Sequence, residues 1–441
     1  MTRSLLLPAL CFTGTEGEGA LAPGLGVLIE EDRIAAVLPA AQAKARAGDA
    51  AIVELPDRAL LPGFVNAHSH AFQRGLRGHV QYASGGDSFW TWRERMYALA
   101  NALDPDGVER LARLAFREML RAGFTTVGEF HYLHHQPDGT PYADPDELAL
   151  RVVEAARAEG IRLVLLRVAY ARAGHGVAPN PLQRRFLDPT PEHALAAVAR
   201  LRRRGVVAGL APHSVRACPP SWLRAFGDAN PDGPVHAHVD EQPGEIEACL
   251  RETGLRPLQL LGDAGLLSPR FTAVHLTHPD AAELALLHAS GAGVCACPST
   301  ELDLGDGFLP LEGLDRDPAQ GPPRVSIGTD SHARIDPLAE LAAIENHARA
   351  RAGRRNVLRH APHPDALAAR LVRMGTEVGA AQLGVDAGRI EAGRLADLVE
   401  IDLGHLCLEG ARPLPGIVFA GGPQLVRGVW VGGRRLSVPA A

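Results

Sequence analysis

Apolar positions along the chain fall into two textures. In the middle, short apolar runs recur at 60–66, 124–130, 161–169, 206–211, 234–239, 271–276, 292–297 and 324–328. Most are separated by stretches with helical spacing of apolar residues: 107–122, 145–158, 191–204, 280–290 and 338–352. Eight strand-like runs alternating with helices predict an α/β fold of the (β/α)8 TIM-barrel type. The two ends read differently. Leu5-Leu6-Leu7, Gly26-Val27-Leu28-Ile29 and Ile34-Ala35-Ala36-Val37-Leu38 are short strands between turns, and the same texture returns at 396–402, at 425–431 and after a Gly432-Gly433 turn. Strand-rich ends around a different middle predict that residues 1–58 and 386–441 join in one small β-sandwich domain, with the barrel, 59–385, inserted between them.

Composition narrows the class of partner. The chain has 441 residues, 46% apolar and 22% charged, enough to bury a large core, and its formal charge is −6. No basic run is present, so neither nucleic acid nor an anionic membrane is the expected partner, and a small molecule is. The six cysteines are scattered without a C-x-x-C pair. Pro8, Glu16 and Glu18 interrupt the N-terminal apolar run, and no run approaches the roughly 20 apolar residues of a membrane-spanning helix. A cytoplasmic protein is expected.

The chemistry gathers where barrel strands end, which is where barrel enzymes build their sites. Strand one runs into Asn66-Ala67-His68-Ser69-His70, and residues i and i+2 of a strand point to one face, so His68 and His70 can meet one metal ion. Strand two runs into Glu129-Phe130-His131-Tyr132, strand four into His213-Ser214-Val215-Arg216, and strand five into His236, His238 and Glu241. His275 and His278 follow strand six; Asp330-Ser331-His332 follow strand eight. Closing a barrel brings strand eight beside strand one, so His238 and Asp330 complete a set of three imidazoles and a carboxylate suited to Zn²⁺ or Fe²⁺. His193, His288 and His347 lie within helical stretches and are expected to have no role.

These motifs resemble the amidohydrolase superfamily over nearly the whole chain: Pro62-Gly63-Phe64-Val65-Asn66-Ala67-His68-Ser69-His70, His238 with Glu241, His275, Asp330 and the split β domain. Within it the chain is similar to the formimidoylglutamate deiminases. That narrower likeness rests on Phe72-Gln73-Arg74, on Asp87-Ser88-Phe89-Trp90-Thr91-Trp92-Arg93-Glu94, on the motifs after strands two and four, and on Cys297-Pro298-Ser299-Thr300-Glu301 with Leu304-Gly305-Asp306-Gly307. The resemblance implies hydrolytic deimination of N-formimino-L-glutamate to N-formyl-L-glutamate and ammonia in histidine degradation, by a homodimer. Superfamily members with two metals bridge them with a carboxylated lysine. Lys44, the only lysine, precedes the barrel, so one metal per subunit is expected.

For such a reaction Glu241 is placed to move a proton to the imine nitrogen, His275 to hold the attacking water, and Asp330 to touch the metal and accept the water's proton. A substrate with two carboxylates calls for arginines. The resemblance implies that Arg93 and Arg216 bind them, assisted by Gln73, Tyr132 and His213. Residues 71–103, with Gly85-Gly86 and three aromatics, form a long connection expected to cover the pocket. Three alternatives stand beside this reading. A deaminase of purine, pyrimidine or triazine rings would use the same metal and acid-base residues. Cleavage to glutamate and formamide would attack the same carbon. A non-catalytic scaffold would have lost ligands that this chain retains.

Overall fold

The computed structural model describes residues 3–14, 20–82, 88–314 and 324–436. The expected Gly85-Gly86 and Asp87 positions lie outside these. Five strands open the chain: β1 (Arg3–Phe12), β2 (Leu21–Pro23), β3 (Leu25–Glu30), β4 (Arg33–Pro39) and β5 (Ala51–Pro62). Eight follow in the middle: β6 (Phe64–Ser69), β7 (Phe124–His131), β8 (Arg162–Ala169), β9 (Ala208–Pro212), β10 (Val235–Val239), β11 (Phe271–His275), β12 (Gly293–Ala296) and β13 (Val325–Ile327). Three close it: β14 (Leu398–Asp402), β15 (Val426–Val431) and β16 (Arg434–Leu436).

Strands β6 to β13 pair in sequence order, all parallel, into one sheet. Its two edges meet where Ser69 bridges Asp330 in parallel and the Thr329 N–H donates to the His68 carbonyl at 3.1 Å. The predicted barrel is therefore present. Its helices obey local rules. Pro105–Ala122 starts at Asp104, whose carboxylate accepts from the Gly107 N–H at 2.7 Å, and stops at Gly123 in the left-handed region at φ 97°. Its face of Val108, Ala112, Ala115, Phe116 and Met119 is buried at helical spacing, and truncating Phe116 to Ala would cost about 3–5 kcal/mol.

The termini form one continuous sheet in the order β16-β15-β14-β5-β1-β3-β4, with β2 paired to β1. The expected sandwich arises because this sheet curls on itself: Arg33 bridges Leu395, and the Ile34 N–H donates to the Arg394 carbonyl at 2.9 Å. Leu6, Val27, Ile29, Leu60, Leu398 and Trp430 fill the enclosed face. The helix Ala40–Ala47 covers the other with Ala43 and Ala47 against Leu5, Leu7 and Leu28. Arg162 at the start of β8 grips Asp397 through two hydrogen bonds of 2.8 and 3.0 Å, tying sheet to barrel.

One strand boundary differs from the sequence reading. The apolar run at 60–66 is two strands: Leu60 and Leu61 belong to β5 and pair with Glu400 and Val399 of the terminal sheet, and the barrel strand begins at Phe64. Hydrophobicity could not reveal the change because both sheets bury the run completely. Gly63 makes the crossing, where any Cβ would sit 2.2 Å from Thr125 Oγ1. No helix among the described residues is long and apolar enough to cross a membrane.

Candidate active site

His68 and His70 leave β6 on the same side, as their spacing requires, and the parallel bridge at Ser69 carries Asp330 to them. His70 Nε2 lies 3.2 Å from His68 Nε2 and 3.1 Å from Asp330 Oδ1, and His68 Nε2 is 3.4 Å from the same oxygen. His238 joins from β10, and the donor atoms of all four residues lie within 4.8 Å of one another. All four are buried.

The arrangement fits a metal ion. Ligands bonded at about 2.0–2.1 Å around a tetrahedral centre stand roughly 3.3 Å apart, as the facing atoms of His68, His70 and Asp330 do. Two of the rings are also pinned as metal ligands need. His70 Nδ1–H donates to the Phe130 carbonyl at 3.0 Å and His238 Nδ1–H to the His213 carbonyl at 2.9 Å, which leaves each Nε2 lone pair facing the common point. Burial holds His68 down at about 3 and His238 well below the usual imidazole range, so both rings are neutral. Burial alone would raise Asp330, but the adjoining His68 and His70 rings keep it well below the usual carboxylate range.

Beside this cluster, His275 ends β11 in the left-handed region at φ 72°. Its Nε2 faces Glu241 Oε1 at 3.7 Å and Asp330 Oδ2 at 3.9 Å and, though buried, has no hydrogen-bond partner among the described residues. A small polar group between them would satisfy it. Burial would lower the His275 pKa, but Glu241, Glu301 and Asp330 together raise it well above the ordinary value.

A cavity of about 580 Å³, including its open mouth, rises from the cluster. It is lined by His70, His238, Glu241 and Asp330, and by all five residues expected to bind substrate: Gln73, Arg93, Tyr132, His213 and Arg216. Gln73 Nε2 donates to the Tyr132 hydroxyl at 2.7 Å. His213, half-buried and held neutral by desolvation, packs its ring 4.8 Å from that of His238. The two arginines differ. Arg216 is buried and bridges carboxylates, with NH2 3.2 Å from Glu241 Oε2 and Nε 3.0 Å from Glu245 Oε1. Arg93 has no carboxylate partner among the described residues; its guanidinium stacks 4.6 Å from the Trp90 ring centroid and 5.7 Å from that of Tyr97.

Arg93 lies on a helix, Phe89–Ala102, within the connection expected to cover the pocket. Ser88 caps it by accepting from the Thr91 N–H at 3.3 Å. One face of this helix, Phe89, Trp92, Arg93, Met96 and Tyr97, forms a wall of the cavity. Sequence reasoning did not single out Tyr97, Tyr170 or Glu245. Tyr97 and Tyr170 are propped by Gln183, whose Nε2 donates to both hydroxyls at 2.9 and 2.8 Å. Helical spacing was the available signal for Tyr97, which stands four residues after Arg93 on the same helix. Of the three histidines set aside, His193 pairs with Asp188 at 2.8 Å and His347 stacks on Phe308, both away from the cavity. Lys44 pairs with Glu54 on the surface and supplies no bridge between metals.

Residues 59–436 match the model of the amidohydrolase family. Formimidoylglutamate deiminase of Pseudomonas aeruginosa is 42% identical over 386 residues, covering 85% of this chain and 84% of that protein. A solved amidohydrolase from Brucella melitensis superposes with a TM-score of 0.84 at 33% identity, covering 99% of this chain and 94% of that one. An adenosine deaminase from Xanthomonas campestris, solved with bound zinc, superposes with a TM-score of 0.81 at 27% identity, covering 98% and 92%.

Proposed function

The chain belongs to the amidohydrolase family, and from that premise we propose that it is a mononuclear deiminase converting N-formimino-L-glutamate to N-formyl-L-glutamate and ammonia, a step of histidine degradation in the cytoplasm. His68, His70, His238 and Asp330 would hold one Zn²⁺ or Fe²⁺. When bound, that ion lowers the pKa of water toward about 7 and stabilises negative charge on oxygen.

The protein supplies the rest. Water adds to the planar amidine carbon, and Asp330 accepts its proton. His275 Nε2, with no hydrogen-bond partner among the described residues, holds the incoming oxygen. Glu241, 3.7 Å from His275, carries a proton to the terminal nitrogen. As the C–N bond breaks, the hydroxyl proton of the adduct passes through Glu241 to the same nitrogen, so ammonia leaves, a C=O bond remains, and the proton held by Asp330 returns to Glu241 to complete the cycle. Arg93 meets one substrate carboxylate. Arg216 meets the other by exchanging part of its hold on Glu241 and Glu245, with Gln73, Tyr132 and His213 closing around the chain between them.

The observation that carries this reading is Arg93: a cation without an anionic partner among the described residues, on the wall of the cavity that holds the ligand cluster. A second reading, deamination of a heteroaromatic ring, draws support from walls of Phe89, Trp92, Tyr97, Tyr132 and Tyr170 and from the pairing of Arg216 within the protein. Ammonia release decides between them. Purified protein of known metal content is given N-formimino-L-glutamate, its aspartate analogue, adenosine, guanine and cyclic amidines. The proposal expects turnover of the glutamate compound at least 10²-fold above the rings. The reverse order, or release of formamide in place of ammonia, overturns it.

A further inference from the structure

Glu301 is a buried acid that the proposed chemistry does not use. It lies in the helix Pro298–Leu304 after β12, within the Cys297 to Glu301 motif, and is 1% exposed. One oxygen, Oε1, accepts from the Cys297 N–H at 2.8 Å and lies 3.3 Å from His275 Nδ1. The helix also donates the Glu301 N–H to the Cys297 carbonyl at 2.9 Å, so the carboxylate is fixed from both its backbone and its tip. No arginine pairs with Glu301 among the described residues, so a charge this deeply buried is costly unless donors meet it.

We propose that Glu301 is a positioning residue that sets the ring angle of His275, holding a proton on Nδ1 so that Nε2 points at the reacting oxygen. The inference rests on the role given to His275 above. Its logic is that of a carboxylate behind a catalytic imidazole: the acceptor at Nδ1 holds a proton there and so decides which nitrogen faces the substrate. His275 needs such a hold more than most histidines, because it sits in a left-handed backbone conformation with Leu276 beside it at φ 52°, and the ring angle follows from that unusual backbone. The ring stacks 5.5 Å from that of His238 at an interplanar angle of 16°, which limits sliding but leaves a 180° flip of the ring open. The Glu301 oxygen is the contact that distinguishes the two flips.

The test uses the metal-loaded protein and the Glu301→Gln variant. Glutamine fills the same volume and can keep a carbonyl oxygen at the Cys297 N–H, but it removes the negative charge behind Nδ1 and so weakens the hold on the ring. The expected result is a fall in kcat of about 10²-fold or more, KM within threefold, metal content unchanged, and partial recovery in Glu301→Asp. Nitrogen-15 NMR of histidine-labelled wild-type protein is expected to show His275 protonated at Nδ1, a readout independent of any substrate. A Glu301→Gln enzyme with wild-type kcat, a loss of metal that accounts for the loss of activity, or a His275 ring bare at Nδ1 overturns the proposal. His275→Asn separates this failure from that of the parent reading. If His275→Asn turns over normally, the role of His275 is wrong; if it is inactive while Glu301→Gln is not, only the inference about Glu301 is wrong.

Discussion

Arg216 NH2 stands 3.2 Å from Glu241 Oε2, so the cation offered to a substrate carboxylate and the acid that moves the proton are in direct contact. Glu245 holds the same guanidinium from the other side at 3.0 Å, and its own carboxyl is pushed up by burial despite that arginine. Breaking one partner out of a buried pair is strongly destabilising, so the arginine is a poor site for a first test, and Glu241 is the better one.

Glu241→Gln keeps the size and one acceptor toward Arg216 while removing the proton carrier. The expected outcome is a kcat reduced by about 10²–10⁴-fold, a KM within a few-fold of wild type and unchanged metal content, measured by steady-state ammonia release and elemental analysis.

Arg93 stacks on Trp90 and pairs with no acid among the described residues, so its removal leaves no buried charge behind. Arg93→Ala is expected to raise KM for the dicarboxylate by about 10–100-fold, the loss of one charge-assisted hydrogen-bond pair, with kcat changed less. Arg93→Lys is expected to recover part of that loss. An unchanged KM in the alanine variant removes Arg93 from the substrate site.

Four donor atoms held within 4.8 Å around no covalent link gain from an ion that binds only the folded state. Chelation is expected to abolish ammonia release and lower Tm, with both restored by Zn²⁺ or Fe²⁺. His70→Ala is expected to co-purify with far less metal than wild type. Calorimetry with and without chelator checks the first, and elemental analysis the second.

Glu340 offers a pH test away from the reacting groups. It is buried, Oε2 accepts from the Ser299 N–H at 2.9 Å, Oε1 has no hydrogen-bond partner among the described residues, and burial pushes its pKa up to about 8. An unfolded glutamate titrates near about 4.3. Between those values the folded state holds a proton that the unfolded state has released, so stability falls as pH rises from about 4.3 toward 8. Glu340→Gln cannot titrate and keeps the acceptor. Its Tm relative to wild type is expected to rise by about 2 °C or more between pH 5 and pH 8, followed by differential scanning calorimetry.

The sequence by itself determined the barrel and the metal cluster, because both are written in short-range terms. A parallel strand buried on both faces is a run of apolar residues, and a strand's period of two puts His68 and His70 on one side. The circular order of a closed barrel then places Asp330 beside them. Contacts whose two sides lie far apart in the chain were decided by the tertiary structure alone. The apolar run at 60–66 is split between two sheets because β14, more than 300 residues later, pairs with its first half. Arg216 holds Glu241 and Glu245, Glu301 reaches back to His275, and Gln183 props Tyr97 and Tyr170, each joining separate segments. Periodicity reports which face of an element is buried; which side chain meets another across a buried face depends on how the elements pack.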